Sequence, residues 1–137
     1  MQKRLSLKKI STEQWVLFIG WGIFFFWVDH FARTHDLYWT FPWFDMAVHA
    51  IGGALIGIGM ILVFRIKNRS VSIRNKWLTM FAVLLVITLG WEAKELLIGN
   101  PLFGTSIPLF NFADELTDVI SGILGGLVAF AYLKQPS

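Results

Sequence analysis

Residues 44–64 read FDMAVHAIGGALIGIGMILVF. This stretch is long enough to cross a bilayer as a helix, which takes about 20 mostly apolar residues. Its ionisable residues are Asp45 and His49, both near the beginning of the stretch. Because lipid offers backbone groups no hydrogen-bond partners, a spanning segment has to satisfy them internally. The stretch therefore predicts a transmembrane helix with two ionisable groups near one end.

Three further stretches have the same character, and with the first they give four predicted spans: roughly 13–32, 44–64, 76–98 and 113–133. The whole chain of 137 residues is 55% hydrophobic and 15% charged, which is too apolar for a soluble protein of this size. We predict an all-α integral membrane four-helix bundle that forms a single domain over residues 1–137. Its surroundings are the lipid bilayer.

Basic residues lie in two blocks, one before the first span and one between the second and third spans: Lys3, Arg4, Lys8, Lys9, Arg65, Lys67, Arg69, Arg74 and Lys76. The other connections, 33–43 and 99–112, contain one Arg, Arg33, and no Lys. Cytoplasmic loops are enriched in Lys and Arg, so both termini are predicted to be cytoplasmic. Blocks between apolar stretches, instead of one basic face, argue against nucleic-acid binding.

Small residues predict which helices are central. Gly53 and Gly57 in the second span, and Gly122 and Gly126 in the fourth, form two pairs with small-xxx-small spacing. This spacing lets helix backbones approach closely in lipid. The second and fourth spans are therefore predicted to pack against each other.

Three spans each carry a pair of ionisable residues at the predicted outer end: Asp45 and His49, Glu92 and Glu95, and Asp114 and Asp118. Members of a pair are three or four residues apart, so they share one helix face. Stray charges would be scattered over both ends of a bundle. We therefore predict that the three pairs converge in one site at the outer leaflet.

Ionisable groups in the apolar zone cost about 2.5–3.5 kcal/mol each, so such a site requires compensating positive charge. Either shared protons or a bound divalent metal supplies it. The predicted metal ligands are Asp45, His49, Glu92, Asp114 and Asp118, a hard set suited to zinc, manganese or magnesium. Glu92 and Glu95 are the candidates for catalytic proton transfer. With no Cys in the chain, thiolate ligands are excluded.

Each residue also has a simpler interpretation. Asp45 and Asp114 stand in first helical turns, where a carboxylate is favoured by the helix dipole, and His49 could be a core residue. Asp29 and His30 lie nearer the interface, so we expect them to be solvated. Lys94 and Glu115, at the same end, are expected to meet water or head groups. Arg33 could reach the site itself from its connection.

Three motifs resemble a known family: FPWFDMAVHAIGG at 41–53, GWEAKE at 90–95 and DELTDVISG at 114–122. They are similar to motifs of the VanZ-like and YjdF-like small bacterial inner-membrane proteins. The resemblance implies a multi-pass protein of the bacterial inner membrane and supports the predicted site. It says little about the reaction, because most of these proteins have no assigned activity and VanZ itself is associated with glycopeptide resistance.

Three functions stay open from the sequence. The first is a metal-dependent hydrolase or transferase acting on a lipid-linked envelope substrate, since the site lies at head-group depth. The second is a metal-ion or proton-coupled transporter, although the inner halves of the spans lack matching polar residues. The third is a non-catalytic envelope or glycopeptide-resistance module. The sequence does not predict an oligomeric state.

Overall fold

Four long helices and one short helix make up the described part of the chain. The computed structural model describes residues 10–66, 73–98 and 112–133, without the side chains of residues 73–74, 95–98 and 112. The helices are α1 (Thr12–Thr34), α2 (Leu37–Thr40), α3 (Trp43–Ile66), α4 (Ile73–Ile98) and α5 (Phe112–Leu133). The long helices match the four predicted spans and are long and apolar enough to cross a membrane. The all-α prediction is confirmed for these ranges, and the orientation of the termini stays a prediction.

The closest helix pair is α3 and α5, whose backbones touch through glycines. A Cβ atom on Gly53 would overlap the carbonyl group of Gly122, and one on Gly57 would lie 2.5 Å from the carbonyl oxygen of Gly126. A Cβ on Gly125 would overlap the carbonyl group of Ala50. The sequence prediction of a central second and fourth span is therefore confirmed, because no larger residue fits at this contact.

Helix α4 packs against α5 and also contacts α3. The side chain of Leu84 lies against Gly126, and the methyl group of Thr88 lies against Gly122. Towards the far end of these helices Met80 and Leu84 are fully buried, together with Phe130, whose ring centroid is 4.8 Å from that of Trp77. The apolar core therefore lies at the opposite end from the ionisable pairs.

Helix α1 packs on α3, which in the described part of the chain is the one long helix whose backbone it contacts. Phe25 covers Gly52, Phe18 covers Gly59, and Nε1 of Trp21 donates a hydrogen bond of 3.0 Å to the carbonyl oxygen of Ile51. Within the described ranges, the backbones of α1 and α4 make no contact. A space is therefore left between α1 and α4, and α3 lines it on a third side.

The connection from α1 to α3 contains α2, in a region for which the sequence analysis predicted only a loop. Asp36 precedes α2 with a φ of 53°, in the left-handed region, which Asp tolerates better than most residues. The resulting turn leads the chain back along the end of α1. Tyr38 on α2 thereby comes within hydrogen-bonding distance of Asp29 on α1.

Candidate functional site

Four ionisable side chains from three helices meet at one end of the bundle. Nε2 of His49 lies 3.6 Å from Oδ1 of Asp45, and Nδ1 of His49 lies 3.5 Å from Oε1 of Glu92. One ligand atom each from Asp45, His49 and Asp118 lie within 4.8 Å of one another. We call Asp45, His49, Glu92 and Asp118 the carboxylate–histidine cluster.

The glycine contact between α3 and α5 explains why this cluster forms. His49 precedes Gly53 by one helical turn, and Asp118 precedes Gly122 by one turn. Since Gly53 and Gly122 touch, the two side chains one turn away are brought to the same level. Thr88 of α4 also lies against Gly122, which sets Glu92 one turn further along α4 beside His49.

The cluster is largely withdrawn from its surroundings. Glu92 is 6% exposed and Asp118 is 4% exposed, and the side chain of His49 is 8% exposed. Asp45 is more open, with 39% of its side chain exposed. Three carboxylates around one imidazole carry an excess of negative charge, and burying a charge is costly unless it is paired. A cation or shared protons would offset this charge.

A cavity of about 180 Å³ adjoins the cluster between α1, α3 and α4. Its polar end is lined by Asp29, Arg33, Tyr38, Asp45 and His49. Its apolar end is lined by residues from the same three helices, chiefly Phe25, Leu55, Ile56 and Ile87. The cavity is thus amphipathic along the direction of the helices.

The polar end of the cavity includes a hydrogen-bonded group from α1 and α2. Nε of Arg33 donates to both carboxylate oxygens of Asp29, at 3.0 and 2.9 Å. The hydroxyl group of Tyr38 donates to Oδ1 of Asp29 at 2.7 Å. Burial and, after it, the bond to Asp29 raise the pKa of the Tyr38 phenol, so Tyr38 stays a donor.

Asp29 is not a solvated residue, so the prediction made for it from its depth is wrong. The Asp29 side chain is 23% exposed and is held by Arg33 and Tyr38 at the wall of the cavity. The spacing of Asp29 and Arg33, four residues apart on one helix, is a signal that could have found the pair. No sequence pattern identifies Tyr38, because its position depends on the turn at Asp36.

Among the described residues, Asp114, His30 and Lys94 are not members of the converging set of ligands. Asp114 is exposed and is not one of the three residues whose ligand atoms converge. His30 is exposed, as expected. The ammonium group of Lys94 lies 4.3 Å from the ring centroid of Trp91, a residue that lines the cavity. The side chain of Glu95 lies outside the described residues.

The donor set of the cluster fits a divalent metal ion. Carboxylate oxygens and one imidazole nitrogen are ligands of zinc and manganese, and oxygens suit magnesium. Ligand atoms at about 2.0–2.2 Å from an ion lie at most about 4.4 Å apart. Separations of up to 4.8 Å therefore need only small side-chain movements to close around an ion.

The four apolar helices and the buried polar cluster at one end define a multi-pass membrane protein of the helix-bundle class. The chain belongs to the family described as predicted membrane protein (DUF2238), whose sequence profile matches residues 11–135. Neither the curated proteins nor the solved structures contain a significant match to the chain. The family description agrees with the predicted membrane location and assigns no activity.

Proposed function

We propose that this protein binds one divalent metal ion through Asp45, His49 and Asp118 and acts on a lipid-linked substrate beside it. The observation that carries the proposal is the convergence of three ligand atoms from α3 and α5 within 4.8 Å. Three protein ligands leave a coordination position open, which is the usual arrangement of a catalytic zinc site. Zinc is the first metal to test, before manganese and magnesium.

The position of Glu92 is a second observation that supports the proposal. A histidine that binds a metal through one ring nitrogen commonly has a carboxylate beside the other nitrogen, which fixes the tautomer and orients the ring. Nε2 of His49 is the nitrogen nearer Asp45, and Nδ1 is the nitrogen nearer Glu92. Glu92 is then a positioning residue for His49. The other acids that the sequence suggested, Asp114 as a ligand and Glu95 in proton transfer, stay predictions.

The class of reaction follows from the donor set and the depth of the site. A metal held here would polarise a phosphoryl or acyl oxygen, or activate water at neutral pH. Asp45, at the edge of the cluster, is exposed enough to meet a substrate, whereas Glu92 and Asp118 are buried behind it. Hydrolysis or transfer at the head group of a membrane lipid suits a site near the ends of spanning helices.

The metal content of the purified protein tests this proposal. Wild type is expected to hold one metal ion per chain, and His49→Ala and Asp118→Asn are expected to lose it. Asp36→Asn is the matched control, because Asp36 is exposed at the same end and Asn also tolerates its left-handed conformation. Wild type without stoichiometric metal, and with a thermal stability that chelators leave unchanged, would contradict the proposal and favour shared protons.

Transport is the second candidate, and the packing below the cluster disfavours it. Among the described residues, Met80, Leu84 and Phe130 are fully buried at the opposite end of the same helices. A polar pathway through the bundle would have to open this apolar core. Ion flux in liposomes, measured alongside a screen for lipid-phosphate hydrolysis, separates a transporter from an enzyme, and the absence of both favours a non-catalytic envelope module.

The assignment of the chain to a more specific family is also a proposal. We assign the chain to the VanZ-like and YjdF-like proteins on the motifs at 41–53, 90–95 and 114–122. This assignment brings with it the bacterial inner membrane. The distribution of Lys and Arg supports cytoplasmic termini and, with them, a site in the outer leaflet. Labelling of single cysteines introduced next to Asp36 and at the amino terminus, from each side of the membrane, tests the orientation.

A further inference from the structure

The cavity between α1 and α4 has features of a binding site for one class of lipid. We propose that it binds a lipid whose head group carries a phosphate monoester, with Arg33 on the phosphate and the hydrocarbon chains leaving between α1 and α4. This inference rests on the proposed function, because it names the substrate class of the same site. It adds a recognition residue and an entry route.

The apolar end of the cavity is suited to the beginning of a hydrocarbon chain. Phe25 of α1, Leu55 and Ile56 of α3 and Ile87 of α4 line it. Ile87 is nevertheless 46% exposed, so the wall formed by α4 is open on one side. Since the described backbones of α1 and α4 do not touch, a chain could pass between them into the bilayer.

The size of the cavity indicates a ligand that is only partly enclosed. Pockets that enclose most of a drug-sized ligand have volumes of about 300–1,000 Å³. At about 180 Å³, this cavity can enclose a head-group phosphate and the first few chain atoms. The remainder of the ligand would lie outside it, which suits a lipid better than a water-soluble substrate.

Arg33 gives the polar end its preference for phosphate. Among the described residues that line the cavity, Arg33 is the one with a permanent positive charge. Its Nε contacts both oxygens of Asp29, which orients the planar guanidinium group, and Tyr38 holds Asp29 in turn. A guanidinium group has five N–H donors, and its terminal nitrogens match the spacing of phosphate oxygens.

The carboxylates make phosphate binding depend on the metal. Asp29 and Asp45 line the same cavity as Arg33, and their negative charges would repel a phosphate. A divalent cation beside Asp45, His49 and Asp118 would offset this repulsion and offer the phosphate a second positive partner. The lipid is therefore expected to bind the metal-loaded protein more tightly than the metal-free protein.

The experiment measures lipid binding to the full-length protein in detergent, together with the metal content of each sample. The probes are phosphatidic acid, diacylglycerol with the same chains, and inorganic phosphate, each added to zinc-loaded and chelator-treated protein. Arg33→Gln is compared with Arg65→Gln, an exposed arginine in the last turn of α3 at the opposite end. Ile87→Trp, which narrows the opening, is compared with its exposed neighbour Val86→Trp, which does not line the cavity.

Zinc-loaded wild type is expected to bind phosphatidic acid at least about tenfold more tightly than diacylglycerol, because each charge-assisted contact is worth about that factor and diacylglycerol lacks the contacts to both Arg33 and the metal. Arg33→Gln should lose about that factor for phosphatidic acid, and Arg65→Gln should not. Ile87→Trp should weaken binding of both lipids without changing the metal content, and Val86→Trp should leave both unchanged. The Ile87 variant keeps the test decisive if Arg33→Gln fails to fold.

Equal binding of the two lipids, or equal effects of the members of either variant pair, would overturn the inference. So would inorganic phosphate bound as tightly as phosphatidic acid, since a free anion would then be the ligand. Lipid binding that persists after chelation overturns the coupling to the metal. In each case a stoichiometric metal in the same samples leaves the proposed function standing, whereas missing metal in wild type refutes the proposed function itself.

Discussion

Nδ1 of His49 on α3 lies 3.5 Å from Oε1 of Glu92 on α4, and both side chains are almost completely buried. This contact joins two helices that are separate in sequence at the level where Asp118 of α5 also approaches. It orients the imidazole ring so that Nε2 is the nitrogen nearer Asp45. The relationship between His49 and Glu92 is therefore the basis of the first prediction.

Replacing Glu92 by Gln is expected to weaken zinc binding by about 10–100-fold, the usual effect of losing a carboxylate beside a metal-binding histidine. The substitution keeps the size of the side chain and removes its charge. Affinity is measured by competition with a chelating dye. Glu13→Gln, an exposed acid at the opposite end, is the control and should leave the affinity unchanged. Equal affinities of Glu92→Gln and wild type would remove Glu92 from the site.

Replacing Gly53 by Ala is expected to lower the stability of the bundle by about 1–3 kcal/mol or more, the range for overpacked contacts. The new methyl group would overlap the carbonyl group of Gly122, which belongs to the backbone and cannot rotate away. Thermal unfolding in detergent measures the effect. Gly20→Ala and Gly90→Ala are the controls, since a Cβ there has nothing within 4 Å. Because Ala favours a helix over Gly, these controls should be neutral or gain up to about 1 kcal/mol. A loss of stability in the controls as large as in Gly53→Ala would refute the close contact.

Replacing Trp21 by Phe is expected to loosen α1 from α3. The change removes the 3.0 Å hydrogen bond from the indole to the carbonyl oxygen of Ile51. Such bonds between transmembrane helices contribute about 0.6 kcal/mol on average and at most about 1.7 kcal/mol. The unfolding midpoint of Trp21→Phe is compared with that of Trp27→Phe, which alters a residue that is 59% exposed on the same helix. Equal midpoints would show that the bond adds nothing.

Tyr38 is expected to resist ionisation. Burial and the bond to Asp29 raise its folded-state pKa above the ordinary value of 10.0. Because folding raises this pKa, the stability that the Tyr38 phenol contributes to the folded protein is fully present below about pH 10 and is lost as the pH rises above that value. The stability difference between wild type and Tyr38→Phe should therefore be constant up to about pH 10 and shrink above it.

The tyrosinate absorbance of Tyr132→Phe reports this ionisation directly, because Tyr38 is then the sole tyrosine in the chain. Its titration should begin at higher pH than that of the same protein unfolded in denaturant. Coincident titration curves for the folded and unfolded protein would show that Tyr38 is neither buried nor bonded to Asp29.

The sequence by itself determined the four spans and the end of the bundle at which the acids gather. Length and hydropathy suffice for the spans, since a helix that crosses lipid has to be apolar and about 20 residues long. The glycine pairs also predicted correctly that α3 and α5 are central, because close approach in lipid requires small residues. Helical periodicity placed His49 and Asp118 on inward faces.

Only the tertiary structure decided which polar residues share a space. Hydropathy does not specify the rotation of α1 or its neighbours, so Asp29 and Arg33 could not be assigned to the wall of the cavity from the sequence. The turn at Asp36, which brings Tyr38 back to Asp29, is likewise a product of the folded chain. Which acid of α5 joins the converging ligand atoms depends on where α5 meets α3: Asp118 is one of them and Asp114 is not. The backbone contact between Gly53 and Gly122 sets this register. The sequence pattern predicts that glycines of the two helices touch, but it does not predict which glycines face each other.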